Sequence, residues 1–138
     1  MSNASLADCS ILICEDEPLI AIDIADAFSN VGVRVVTVRS LAQAFIVIED
    51  DAPSAVILDH ALSNCESSQL CAYLKERNIP YVLHSGYANP DVAADAAVIL
   101  TKPAAPQLLV RVVEGLLLLL RHRLMDTALA LSAPCAAW

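Results

Sequence analysis

The stretch that decides the fold is Ala55-Val56-Ile57-Leu58-Asp59, four apolar residues followed at once by a carboxylate. A short run without polar alternation predicts a strand that is buried on both faces, as is usual in parallel sheets. In open parallel sheets, ligands bind beyond the carboxyl ends of the strands. We therefore expect Asp59 to lie at the edge of the sheet where a binding site forms.

Four other runs share this short, apolar character and predict the remaining strands, each buried on both faces. In chain order they are Ser10 to Cys14, Val33 to Val38, Tyr81 to His84 and Val98 to Thr101, and the run Ala55 to Leu58 is third among the five. The residues after the run Val33 to Val38 add nothing comparable to Asp59, which is expected of an edge strand.

Stretches with helical spacing of apolar residues separate these strands. The predicted helices run from Pro18 to an exit at Gly32, from Leu41 to Asp50 after an N-cap at Ser40, from about Glu66 to Asn78, from near Pro90, and from about Pro106 to Arg123. Five strands alternating with five helices predict a doubly wound, five-stranded parallel α/β sheet of flavodoxin-like order.

Composition restricts the class of protein. The chain has 138 residues, which suits one compact domain, and 57% of them are apolar. Its net charge of -8 repels phosphate backbones, so we expect no binding to nucleic acid. The five cysteines are odd in number and contain no C-x-x-C pair, which favours a reducing cytoplasm over a disulfide framework or a zinc site.

Neither end of the chain resembles a membrane segment. The first ten residues carry no Lys, Arg or apolar core of a signal peptide. The apolar run from Gly115 to Leu120 is too short to cross a bilayer and is closed by Arg121. We therefore expect a cytoplasmic protein without membrane insertion.

The C-terminal region is more apolar than one amphipathic helix requires. Leu116 to Leu120 occupy every face of the last predicted helix, and residues 124–138 continue with apolar side chains up to Trp138. We expect an N-terminal extension at 1–7, a domain at 8–123, and an apolar helix or tail at 124–138. That segment either packs on its own domain or, with the last helix, contacts a partner such as a second copy of the chain.

The residues that follow the strands form a chemically specific set. They are Glu15 and Asp16 after the first strand, Asp59 after the third, Ser85 after the fourth and Lys102 after the fifth. The carboxyl ends of parallel strands meet at one edge, so three carboxylates, a hydroxyl and an ammonium are expected to converge there.

This set suits phosphoryl transfer. Three clustered carboxylates repel one another unless a cation binds, and ligation by oxygen alone selects a hard ion such as Mg²⁺. The metal and Lys102 would neutralise the oxygens of a phosphoryl group, and Ser85 would hydrogen-bond to it. Asp59 is the expected nucleophile and phosphoacceptor, forming an acyl phosphate.

With these residues assigned, the chain resembles a response-regulator receiver domain of two-component signalling over about residues 8 to 123. Four segments carry the resemblance, and their order and spacing match together. They are Ile11-Leu12-Ile13-Cys14-Glu15-Asp16-Glu17-Pro18, Val56-Ile57-Leu58-Asp59, His84-Ser85-Gly86-Tyr87 and Leu100-Thr101-Lys102-Pro103.

The resemblance implies further roles. Asp16 and Asp59 would ligate Mg²⁺ directly, Glu15 would act through water, and the backbone carbonyl of Ala61 would complete the protein ligands. The phosphoryl donor would be a phosphohistidine on a sensor histidine kinase or a histidine phosphotransfer protein. The protein would be a stand-alone phosphorelay regulator that signals by binding another protein, not an enzyme beyond its own phosphorylation and dephosphorylation.

The sequence departs from the common receiver pattern in three places. Ile99 stands where receivers often carry a switch Tyr or Phe, and the loop from His60 to Asn64 lacks the usual Pro-Gly. The segment from Ile79 to Tyr87 resembles a subgroup with a Pro-Phe-x-Phe-Ala-Thr-Gly-Tyr-like motif, which also lacks the switch aromatic.

The sequence leaves two alternative functions open. The first is a pseudo-receiver that serves as a binding or dimerisation module without phosphorylation. The second is a phosphatase-type hydrolase, which the sequence disfavours because such enzymes usually carry a second carboxylate at the position of Ala61.

Four residues beside the expected site carry secondary predictions. Ala61 and Tyr87 lack a side chain suited to position attacking water, so dephosphorylation should be slow. His60 and His84 directly adjoin Asp59 and Ser85, and side chains alternate along an extended chain. We therefore expect both histidines to face away from the pocket.

Overall fold

The described part of the chain forms one parallel sheet covered by helices. A computed structural model describes residues 8–59, 65–85, 97–101 and 105–132. Its strands are β1 (Ser10–Cys14), β2 (Arg34–Val38), β3 (Ala55–Asp59), β4 (Tyr81–Ser85) and β5 (Ala97–Thr101). Its helices are α1 (Pro18–Ser29), α2 (Leu41–Asp50), α3 (Cys65–Glu76) and α4 (Pro106–Ser132).

The strand order is β2-β1-β3-β4-β5, and every neighbouring pair is parallel. This order confirms the predicted flavodoxin-like α/β fold. β2 lies on one side of β1, whereas β3 lies on its other side. The carboxyl ends of β1 and β3 therefore border the topological switch point, which is where such folds bind ligands. The predicted helix near Pro90, the extension at 1–7 and residues 133–138 lie outside the described residues.

The sheet separates two apolar layers. On one face, Leu12, Val56, Leu58 and Leu83 pack with α2 and α3. On the other face, Ile13, Ile57 and Val82 pack with buried residues of α1 and α4, including Phe28 and Leu109. Successive residues of a strand belong to opposite layers. The same alternation assigns Asp59, at the end of β3, to the layer that contains Ile57.

The prediction that every strand is buried on both faces is wrong for β2. Arg34, Val36 and Thr37 are exposed, and Val38 is the buried residue of this strand. The reason is its position at the edge of the sheet, where a strand has one neighbour instead of two. Central β3, by contrast, is buried at all five residues.

Local signals explain the two helices that flank β2. Helix α1 buries Ala21, Ile24 and Phe28 along one stripe, and it exits through Gly32, whose φ of +87° favours glycine. Helix α2 begins where predicted because the Ser40 side chain accepts a hydrogen bond from the Gln43 N–H at 3.2 Å.

Helix α4 is longer than predicted. It spans 27 residues and does not end near Arg123. Neither Pro nor Gly occurs between Gly115 and the end of the helix, and Leu, Met and Ala dominate residues 124–132, so no stop signal interrupts it. Leu117 is buried against the domain, whereas Leu118 and Leu119 are exposed. None of the helices in the described ranges combines the length and low charge needed to cross a membrane.

Candidate functional site

Three carboxylates meet at the carboxyl edge of the sheet. Glu15 and Asp16 follow β1, and Asp59 is the last residue of β3. One carboxylate oxygen from each residue lies within 4.8 Å of the others. The structure thus brings together three of the residues that the sequence placed in one site, at the switch point of the sheet.

Backbone hydrogen bonds fix the position of this cluster. The Glu15 N–H donates to the Val38 carbonyl at 3.0 Å, so the end of β1 is held against the edge strand. The Glu15 carboxylate accepts a hydrogen bond from the Glu17 N–H at 3.2 Å, which folds the acidic turn back on itself. Glu17 then precedes Pro18 at the start of α1. The turn is therefore positioned by elements on both of its sides.

Burial strengthens the repulsion between the negative charges of the cluster. Glu15 and Asp59 are each 2% exposed, whereas Asp16 is exposed. Two buried carboxylates near a third repel each other more strongly than they would in water, because the surrounding dielectric is low. A bound cation would relieve that repulsion.

The donor set fits Mg²⁺. It consists of oxygen atoms, the ligands that hard divalent cations prefer. One carboxylate oxygen of each residue lies within 4.8 Å of the others, so the three could share one cation. The exposure of Asp16 also leaves one side of the cluster open to solvent, where Mg²⁺ can keep some of its water.

The other predicted residues are placed less completely. Ser85 ends β4 and pairs with Thr101 of β5, so its backbone lies at the same edge as Asp59. Lys102 follows β5 directly in the sequence, but it lies outside the described residues. Ala61, His60 and Tyr87 also lie outside them, and the roles predicted for these residues stay predictions.

The register of the sheet reveals one residue that the sequence reasoning misplaced. His84 pairs with Asp59 across β3 and β4. Residues paired in register present their side chains to the same face, so His84 lies beside Asp59 and does not face away from it. The expectation from the sequence relied on alternation along the chain alone. The register of β4 against β3, which places His84 opposite Asp59, is visible only in the structure.

The match to known families agrees with this geometry. The family model of the response regulator receiver domain matches residues 11–114, and this range includes most of β1, the acidic turn and Asp59. The chain belongs to this family. The receiver domain thus extends over most of the chain, and its match ends within α4.

Solved structures of receivers resemble the chain as well. NtrX from Brucella abortus, solved in complex with ADP, is 26% identical with a TM-score of 0.75; the match covers 88% of this chain and 29% of that one. A response regulator receiver protein from Sinorhizobium medicae is 26% identical with a TM-score of 0.69, covering 79% and 94%. The receiver domain of a histidine kinase from Syntrophus aciditrophicus is 27% identical with a TM-score of 0.68, covering 79% and 89%.

These matches differ in how much of each protein they include. This chain spans less than a third of the NtrX chain, but nearly all of the Sinorhizobium receiver. No significant match was found among curated protein sequences.

Proposed function

We propose that this receiver accepts a phosphoryl group on Asp59 from a phosphohistidine, in the presence of Mg²⁺, and signals by binding another protein. The observation that supports the proposal is the meeting of Glu15, Asp16 and Asp59 oxygens within 4.8 Å at the switch point. Asp59 ends a fully buried strand, so the sheet fixes the position of its backbone.

The proposed reaction is a direct transfer. One oxygen of the Asp59 carboxylate forms a bond to phosphorus while the bond from phosphorus to the donor's imidazole nitrogen breaks. The electron pair of the broken bond stays on that nitrogen. Asp16, Asp59 and the Ala61 carbonyl would hold Mg²⁺ directly and Glu15 would hold it through water, and the bound ion would neutralise charge on the phosphoryl oxygens. Ser85 and Lys102 contact the remaining oxygens, the hydroxyl as a hydrogen-bond donor and the ammonium as a cation.

The surface beside the cluster suits a protein donor. Helix α1 exposes Leu19 at 77% and Ile22 at 54%. Ile22 lines an apolar groove of about 230 Å³ that also contacts Glu15, so the groove adjoins the acidic cluster. We propose that a sensor histidine kinase or a histidine phosphotransfer protein binds here.

Chemical phosphorylation tests the function. Incubation of the chain with acetyl phosphate and Mg²⁺ should add the mass of one phosphoryl group, and Asp59→Asn should add none. Omission of Mg²⁺ should also prevent the addition. A wild-type protein that gains no phosphoryl group from any donor would contradict the proposal.

A comparison of donors tests the docking surface separately. Leu19→Gln should slow transfer from a phosphohistidine protein and leave labelling by acetyl phosphate unchanged, since the small donor needs no protein surface. Ile46→Gln is the matched control, because Ile46 is 69% exposed on α2, in the helical layer of the opposite face. Equal effects of both substitutions would exclude a specific role for α1.

A binding module without phosphorylation is the second candidate function. It is favoured by α4, which spans 27 residues and exposes Leu118 at 48% and Leu119 at 60%. Exposed leucines on a long helix are typical of a dimer surface. Light scattering should then show a dimer of both the wild-type protein and Asp59→Asn, and a dimer lost in Leu118→Gln with Leu119→Gln. A monomer at all concentrations would exclude it.

A further inference from the structure

A basic side chain lies beside the acidic cluster. Arg39 is the first residue after β2, and it lines the groove of about 230 Å³ that Glu15 also lines. Among the described residues that line this groove, Glu15 and Arg39 are the charged ones. The groove therefore brings a cation to the edge of the site in which three carboxylates meet.

The register of the sheet explains why Arg39 lies there. Cys14 pairs with Val38 in the ladder between β1 and β2. The Glu15 N–H donates to the Val38 carbonyl at 3.0 Å, so Glu15 and Arg39 follow the last pair of this ladder. Thr37 also lines the groove, and alternation along the chain gives Arg39 the same face. Arg39 therefore lies at the carboxyl edge of the sheet, on the side of α1.

The start of α2 holds the backbone of Arg39. The Arg39 N–H donates to the Gln43 side chain at 2.9 Å, and the Gln43 N–H donates to the Ser40 hydroxyl at 3.2 Å. Arg39 is exposed, so water and salt screen part of its charge. We therefore expect a moderate electrostatic effect from a cation whose position beside the cluster is set by two elements.

We infer that Arg39 is a built-in counter-ion of the acidic cluster and competes with Mg²⁺ for it. The charge of Arg39 attracts the carboxylates when the site holds no metal, and it repels a divalent cation that binds there. Arg39 therefore stabilises the metal-free fold and weakens Mg²⁺ binding. The inference rests on the proposed function, because it concerns the metal that the proposed phosphoryl transfer uses.

Three substitutions of Arg39 separate its charge from its size. Arg39→Gln removes the charge, Arg39→Glu reverses it and Arg39→Lys keeps it. We expect the Kd of Mg²⁺ at low salt to fall about threefold to tenfold in Arg39→Gln, the effect of a partly screened charge, and to fall further in Arg39→Glu. Arg39→Lys should keep the Kd of the wild type.

An NMR titration with Mg²⁺ measures this Kd. The amide resonance of Glu17 is the reporter, because the Glu17 N–H donates to the Glu15 carboxylate at 3.2 Å. The difference between Arg39→Gln and the wild type should shrink as salt is added, since dissolved ions screen exposed charges. A change in the shape of the groove alone would not depend on salt in this way.

Arg34→Gln is the matched control. Arg34 is exposed on the same strand, but it pairs with Ser10 at the start of β1, whereas Glu15 follows the end of β1. Arg34→Gln changes the net charge by the same amount as Arg39→Gln. Its Kd for Mg²⁺ should therefore stay at the wild-type value.

A second measurement needs no metal. In a chelating buffer, Arg39→Gln should melt about 1–3 °C below Arg34→Gln, because the repelling carboxylates lose a neighbouring cation. Equal melting temperatures of the two variants would overturn the role of Arg39 as a counter-ion.

The outcomes separate the inference from the proposed function. If the wild type binds Mg²⁺ and takes a phosphoryl group, but Arg39→Gln binds Mg²⁺ with the wild-type Kd, the inference alone is overturned. It is also overturned if Arg39→Lys binds Mg²⁺ as tightly as Arg39→Gln. A wild type that binds no Mg²⁺ would overturn the proposed function together with the inference.

Discussion

Glu15 and Asp59 lie side by side at the ends of β1 and β3, and each carboxylate is 2% exposed. Their oxygens approach within 4.8 Å of each other and of Asp16. This arrangement places like charges where solvent screens them least, so we expect it to weaken the fold when no cation is bound.

The first prediction concerns the charge on Asp59. Asp59→Asn keeps the shape of the side chain and removes one of the repelling charges, so the free energy of unfolding without metal should rise by roughly 1–3 kcal/mol. Urea unfolding in a chelating buffer measures it. Asp26→Asn, which removes an exposed charge from α1, should change stability little. A less stable Asp59→Asn protein would show that the charges do not oppose folding.

The second prediction concerns Mg²⁺. An ion that binds the folded state alone should stabilise it by about 2.7 kcal/mol at a concentration one hundred times its Kd. The melting temperature should therefore rise with Mg²⁺ at constant ionic strength. Asp16→Asn should abolish the rise. Because Asp16 is exposed, this substitution should raise the metal-free melting temperature less than Asp59→Asn does. A melting temperature independent of Mg²⁺ in the wild type would contradict the assignment.

The third prediction concerns the start of α2. Ser40→Ala removes the side-chain acceptor of the Gln43 N–H, so the free energy of unfolding should fall by about 1 kcal/mol. Ser29→Ala is the control, since Ser29 is exposed at the other end of a helix. Equal unfolding midpoints in urea for the two variants would show that the cap contributes nothing.

The fourth prediction concerns alkaline pH. Burial raises the pKa of the Cys14 thiol to about 12, above its value in the unfolded chain. The folded state therefore keeps a proton that the unfolded state loses, and the free energy of unfolding should fall as pH rises from about 9 toward 12. Below pH 9 the thiol is protonated in both states and contributes no pH dependence.

A comparison with Cys14→Val isolates this thiol from other alkaline titrations. Urea unfolding of both proteins at pH 7, 9 and 10 should show wild-type stability falling more steeply above pH 9 than that of the variant. Cys71 acts in the same direction, because burial raises its pKa, although a hydrogen bond with Tyr81 opposes the effect. A difference between wild type and Cys14→Val that stays constant with pH would contradict the prediction.

Much of the fold could be predicted because its signals are local. The apolar run before Asp59 identified a central strand, and Ser40 and Gly32 marked the ends of helices to within a few residues. The meeting of Glu15, Asp16 and Asp59 followed from the general rule that the carboxyl ends of parallel strands share an edge.

Other features could not be predicted because they depend on neighbours distant in sequence. The position of His84 beside Asp59 follows from the register of β4 against β3, which no local pattern encodes. The exposure of β2 follows from its single neighbour in the sheet. The length of α4 was underestimated because the charged residues after Leu120 resemble a helix end, although no helix breaker follows them.

Localisation of the phosphoryl group tests the central claim most directly. After reaction with acetyl phosphate and Mg²⁺, fragmentation of the tryptic peptide 40–75, which contains Asp59 and His60, should place the added group on Asp59. The same peptide from Asp59→Asn should carry none. A phosphoryl group found on any other residue, or none at all in the wild type, would contradict the account.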